Sequence, residues 1–198
     1  MHGSLANKPT EIQTSIYMEN LHQLLVNRRS IRRYTPQPID SDAVRQILEA
    51  GLLSPTSKNS RAWEFIVIED KEKLESLSQC KNMGAGPVAK ATLAIVVTVD
   101  TITSEAWIED GSIAASNMML QAADLGIGSC WIEVRGRGTA DGTPAEDFVQ
   151  DLLGLPDHIM PLCIITLGYA DEQRKPQNCE KLLWERVHIG GWNPAQAD

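Results

Sequence analysis

The chain has 198 residues, 42% hydrophobic and 22% charged, a composition that suits one globular domain with a core large enough to stand without staples. Its formal net charge of -8 argues against nucleic acid as the main partner. The four cysteines, Cys80, Cys130, Cys163 and Cys179, show no CxxC spacing, which argues against a zinc site and for free thiols in a reduced, cytoplasmic setting.

Residues 1–18 are polar and read as a loose N-terminal arm ahead of a single domain over 19–198. No signal peptide is visible, and the apolar runs are too short to cross a membrane. "ENLHQLL" opens a short amphipathic helix over 19–28 that runs into an arginine cluster, and Pro36 and Pro38 prevent its continuation. Asp40 is placed to cap a second helix, with Val44, Ile47, Leu48 and Gly51 at helical spacing and Pro55 beyond its end. "EFIVIE", 64–69, is a strand; "DKEKLESLS" is a short helix; "GAGP" is a turn; "ATLAIVVTVD", 91–100, is a buried strand.

Residues 107–125 form a long helix, apolar almost all round and rich in Ala, Ser, Gly and Met, stopped by Gly126. Such a helix is buried, and its small residues let another element approach closely. "IGSCWIEV" follows as a strand. "TPAEDFVQDLLG" begins a helix with Thr143 as the cap, Pro144 at the first helical position and Glu146 closing a capping box. Residues 160–170 are the last clear strand. Read from these elements alone, the chain is one α/β-type domain.

Three stretches carry chemistry. The first, "RRSIRRY", packs Arg28, Arg29, Arg32 and Arg33 into six residues of an acidic protein, next to Ser30. Guanidinium forks and a hydroxyl are good phosphate ligands. If the stretch is helical, Arg28 and Arg32 share a face. An ordinary solvated basic surface accounts for the charges as well. The second, "SPTSKNSRAW", crowds hydroxyls and an amide into a loop between a helix and a strand, and also reads as a plain connection. The third, "GIGSCWIE", is not a dinucleotide fingerprint: Trp131 replaces the last glycine, and the segment runs helix into strand. No histidine has metal-ligand spacing.

In order, these stretches and a later "LGYADEQRKP" resemble the nitroreductase family of FMN-dependent oxidoreductases over roughly residues 20–180. The resemblance implies an α+β, three-layer fold, with a central mixed, mainly antiparallel sheet flanked by helices. It implies an obligate, intertwined homodimer whose FMN sites are built from both chains. Arg28, Arg29 and Ser30 then approach the phosphate and ribityl chain, and Arg32 the flavin pyrimidine edge. There a cation would stabilise the charge of the reduced ring. Pro55, Thr56, Ser57 and Asn59 would come from the other subunit. Trp131, Ile132 and Glu133 would run along the ring, with the Glu133 amide at the flavin N5, and Gly168, Arg174 and Lys175 would complete the phosphate site. The implied activity is NAD(P)H-driven, ping-pong reduction of a small-molecule acceptor such as a nitroaromatic or a quinone, with NADH or NADPH as reductant. No catalytic acid or base is required.

The sequence departs from the family pattern in places. Arg61-Ala62-Trp63 stands for the common Gln-Pro-Trp, Lys58 and Val134 replace small residues, and the stretch over 70–107 is too compact for a large helical cover. Trp107 reads as a pocket wall or as a core residue. A flavin carrier or sensor without turnover would show the same motifs. A module binding nucleic acid or phosphoprotein through the arginines is the competing non-flavin reading.

Overall fold

The run LAIVVTVD has almost no polar side chain, and a strand of that kind must be covered on both faces. In the computed structural model, which describes residues 21–192, it forms β2 (Leu93–Asp100). The other strands are β1 (Trp63–Ile68), β3 (Gly128–Glu133) and β4 (Ile159–Gly168), and the sheet order is β1-β2-β4-β3. All three pairings are antiparallel. The parallel component of the expected mixed sheet is confined to an isolated bridge between Ser30 and Ser129 on the outer edge of β3. The architecture is therefore α+β, as the family resemblance implies, rather than the α/β read from the alternation of elements. The N-terminal arm over 1–18 lies outside the described residues.

The helices are α1 (Leu21–Asn27), α2 (Ser41–Leu52), α3 (Lys71–Leu77), α4 (Pro87–Lys90), α5 (Trp107–Asp124) and α6 (Ala145–Leu153). They form two layers. Ile47 of α2 and Ala115, Met118 and Ala122 of α5 pack on Ile95, Val97, Ile165 and Leu167. On the other face, Leu74 and Leu77 of α3, Val88 of α4 and Ala145 and Val149 of α6 pack on Val96, Ile164, Cys130 and Ile132. Trp107 sits where two core clusters meet. Cys80, Cys130 and Cys163 are buried free thiols, and Cys179 is exposed. Among the described residues no helix is long and apolar enough to cross a membrane.

The small residues of α5 have a visible purpose. A Cβ on Gly111 would meet Leu162 Cδ2 at 2.7 Å and Val99 Cγ2 at 2.9 Å, so the helix can lie this close to the sheet only with glycine there. Asp40 caps α2 as expected, its side chain accepting from the Asp42 amide. At α6 the expected capping box does not form. Pro144 holds the cap position with ψ 136°, and no side chain caps it. The Thr143 carbonyl is drawn into a turn by the Thr139 amide at 2.9 Å, and Glu146 Oε1 accepts instead from the Gly136 amide at 2.5 Å. The helix start is thereby moved one residue along.

α1 also ends earlier than expected. Asn27 is its last residue; the Arg28 amide still donates to the Leu24 carbonyl at 2.8 Å, and the chain then leaves the helix as the Ile31 amide donates to the Ser129 carbonyl at 2.9 Å along the β3 edge. Arg28 and Arg32 are therefore not on one helical face. The extended stretch is anchored by Tyr34. Its ring lies over Gly168, where a Cβ would meet Tyr34 Cδ1 at 2.8 Å. Its hydroxyl donates to the Ile31 carbonyl and shares a hydrogen bond with Thr166 Oγ1 at 2.7 Å.

Burial pushes the Tyr34 phenol above its usual range. A raised pKa in the fold means that the neutral phenol is the form the fold stabilises. That stabilisation is complete below about pH 10, the ordinary tyrosine value, and is lost as pH rises through the folded value. Urea unfolding should show wild type about 1 kcal/mol more stable than Tyr34→Phe near neutrality. The gap should close above about pH 10; a gap that is constant with pH would remove the buried phenol as its source.

Candidate functional site

After α1, the chain spends its backbone bonds on the edge of β3, and this sets where the arginines go. Arg28 and Arg29, with Ser129, Gly126 and Arg174, line a cleft of about 220 Å³. Arg28 Nη1 is buried there with no hydrogen-bond partner among the described residues. An unpartnered buried guanidinium nitrogen is costly, and an anionic oxygen placed in the cleft would remove that cost.

Arg32 and Arg33 enter a neighbouring cavity of about 660 Å³, which Lys90 and Arg174 also line, with Gly84, Gly86 and Pro87 as a wall. Arg174 is common to both cavities and so connects them. Glu172 sets the backbone there. Its Oε1 accepts from the amides of Arg32 at 2.6 Å and Arg33 at 3.3 Å, and its Oε2 pairs with Arg174 Nη2 at 2.7 Å. The Arg32 amide, and then Arg174, hold its carboxyl below the usual carboxylate range. With one carboxylate against four cations, the second cavity is a site for a negatively charged group. A third cleft, of about 620 Å³ beside Thr35 and Pro36, mixes Arg33, Lys71 and Lys90 with Glu69 and Asp171 and has no such bias.

Trp131 and Glu133 of β3 point to the α5 side, with Trp131 Nε1–H donated to Glu133 Oε2 at 2.7 Å, whereas the Ile132 side chain is core. The Ser129 carbonyl faces outward to meet Ile31, so by strand alternation the amides of Trp131 and Glu133 face the same free edge. Gly168 is buried under Tyr34, and Lys175 is exposed.

The loop with Pro55, Thr56, Ser57 and Asn59 lines neither basic cavity. It sits at the start of α5, where Asp110 Oδ1 accepts from the Ser57 amide at 2.7 Å. Within one chain the arginines, Ser30 and Arg174 are brought together around the edge of β3, and the loop is not among them.

Gly84, Gly86, Pro87, Lys90 and Glu172 belong to the cavities but carry no motif of their own. "GAGP" reads only as a turn, although Pro87 at the first position of α4 aims Lys90 into the site. Among the described residues no group of histidine, cysteine, aspartate or glutamate side chains could hold a metal ion.

The Nitroreductase family model matches residues 25–96 and 81–169. A protein of Archaeoglobus fulgidus, provisionally called NADH dehydrogenase/NAD(P)H nitroreductase, is 33% identical over 180 residues, covering 88% of this chain and all of its own. The solved structure of an FMN-dependent nitroreductase from Clostridium difficile R20291 superposes with a TM-score of 0.83 at 45% identity, covering 85% of this chain and 98% of its own. A provisionally assigned nitroreductase from Desulfovibrio desulfuricans, solved in complex with FMN, has a TM-score of 0.66 at 26% identity, covering 84% and 96% of the two chains.

Proposed function

The chain belongs to the nitroreductase family, and from that premise we propose that it is an FMN-dependent NAD(P)H oxidoreductase acting on nitroaromatics, quinones or related electrophiles. The observation that carries the reading is the buried, unpartnered Arg28 Nη1 in a cationic cleft at the edge of β3. A phosphate monoester supplies the oxygens that this nitrogen lacks. Arg28, Arg29, Ser30 and Arg174 are assigned to that phosphate, with Gly168 and Lys175 in the supporting segment. Arg32, beside Lys90, is assigned to the pyrimidine edge of the ring, where a cation favours the reduced, anionic state.

Trp131, Ile132 and Glu133 are assigned to the ring through the free backbone edge of β3, the Glu133 amide being the donor offered to N5. Pro55, Thr56, Ser57 and Asn59 are assigned to the ring of a second copy of this chain. Bound FMN supplies hydride transfer at N5, which lets reductant and acceptor use one site in turn. The protein's part is to place charge and backbone donors, so this reading calls for no catalytic acid or base among its side chains. The buried free thiols fit a cytoplasmic protein.

A homodimer is supported by apolar surface that one chain leaves bare. In the segment after Arg174, Ile189 is 96% and Trp192 80% exposed, and Ile113 faces outward from α5. Sedimentation should find a dimer at micromolar concentration, and a stable folded monomer would contradict the two-chain site.

The direct test is the visible spectrum without air. Purified protein should carry flavin bands that bleach on adding NADH or NADPH. Bands that persist would leave a carrier or sensor, and a colourless protein that refuses FMN would end the flavin reading. Removing both cations, Arg28→Ala with Arg32→Ala, should raise the FMN dissociation constant by roughly 100- to 10,000-fold, at about 1.5–3 kcal/mol for each charge-assisted contact. Unchanged flavin content in the double variant would sink the assignment.

A further inference from the structure

Asp110 is the one carboxylate of α5 buried within the fold, at 2% exposure. Both its oxygens are engaged. Oδ1 accepts from the Ser57 amide at 2.7 Å, and Oδ2 accepts from the hydroxyls of Ser104 at 2.7 Å and Ser60 at 3.2 Å. Among the described residues no cation pairs with it. Its place in the first turn of α5 gives it the positive end of the helix dipole instead.

What it holds is unusual. Lys58, Asn59 and Arg61 have φ of 51°, 55° and 50°, three non-glycine residues in the left-handed region within four positions. Each is strained, and such strain persists only where neighbouring bonds over-determine it. The loop's own backbone closures are the Arg61 amide on Thr56 Oγ1 at 3.0 Å, the Ser60 amide on the Ser57 carbonyl at 2.9 Å and the Asn59 amide on the Thr56 carbonyl at 3.2 Å. α5 ties the loop at a second point, where Asn117 Nδ2 donates to Ser54 Oγ at 2.8 Å. The contorted residues carry their side chains outward: Lys58, Asn59 and Arg61 are all exposed. The contacts they make, Arg61 Nε to Asn59 Oδ1 at 3.1 Å and Lys58 Nζ to Glu105 Oε2 at 3.4 Å, lie on the surface, so internal packing does not explain the shape, whereas an outward-facing contact does.

We propose that Asp110 is a positioning residue for the flavin site, its buried carboxylate holding residues 56–61 in the strained conformation in which they meet the isoalloxazine ring. The role rests on the flavin reading above. Asp110 touches neither cofactor nor substrate; it acts through the Ser57 amide and the Ser60 hydroxyl.

The test compares holoprotein carrying Asp110→Asn or Asp110→Ala with wild type. Asparagine keeps one acceptor for the Ser57 amide, and the two serine hydroxyls can turn to accept from its amide group, so this variant should fold even if the alanine variant does not. Hydrogen exchange over 56–61 should speed up about tenfold or more in Asp110→Asn, because a neutral amide then replaces the charged acceptor, with far-ultraviolet dichroism unchanged. Dissociation constants for FMN and for riboflavin, which lacks the phosphate, should rise by the same factor, because the loop serves the ring. Arg28→Ala should weaken FMN alone. A flavin-binding wild type beside Asp110 variants with unaltered loop exchange and ring absorbance would overturn this role only, as would a loss confined to FMN. A wild type that takes up neither flavin would overturn this role together with the functional reading.

Discussion

The Ile31 amide donates to the Ser129 carbonyl at 2.9 Å, and four residues later the Thr35 amide donates to the Tyr169 carbonyl at 2.8 Å. Between these two bonds the chain has little freedom, and the four arginines are attached to that stretch or immediately before it. Like charges this dense would splay a free loop. Here the backbone is clamped at both ends, Tyr34 fills the space over Gly168, and Glu172 draws the amides of Arg32 and Arg33 inward. The consequence is an ordered set of cations at the open edge of a sheet, with part of their hydrogen-bonding capacity unspent.

The loop over 55–61, proposed above for the flavin of a second copy, is organised by α5. The same helix closes one face of the sheet at Gly111, carries the carboxylate that fixes the loop, and turns Ile113 outward. Three requirements compete along those eighteen residues, which explains a composition of small, polar and flexible side chains rather than a simple apolar stripe. Local costs accumulate at both places: an unpartnered guanidinium nitrogen in the arginine cleft, three left-handed residues in the loop. Strained and unpartnered groups of this kind persist where a contact outside the fold can use them.

Much of this was legible in the residues. All four strands and the long helix follow from runs and periods that any fold must respect, and the arginine cluster stands out against an acidic background. What was not legible depended on distant partners. The sequence predicts a helix end at residue 28, but whether the arginines beyond it share a helical face was not legible, because the bond that draws them along the sheet comes from Ser129. Glu172 lies 140 residues from the Arg32 amide that it accepts from, and nothing local in "DEQRKP" points to it. Thr143 failed as a cap because a turn from Gly138 to Pro144 had already claimed its carbonyl. Asp110 carries no motif; its bonds to Ser57 and Ser60 form only when the loop folds back on α5. The cofactor came from the resemblance, and the orphaned nitrogen of Arg28 then gave it a physical reason.

The position of β4 has a consequence for how the chain is made. Among the described residues it is the last strand in sequence, yet it lies between β2 and β3 at the centre of the sheet. During synthesis β1 and β2 can pair as they emerge, but β3 has no neighbour until residues 159–168 have left the ribosome, and the two helical layers have only half a sheet to cover. The domain therefore completes itself late and almost at once, through pairings of high sequence separation that are intrinsically slow to form. Until then the nascent chain shows an unpaired strand and its apolar run to the cell, which is the interval in which a chaperone has something to hold.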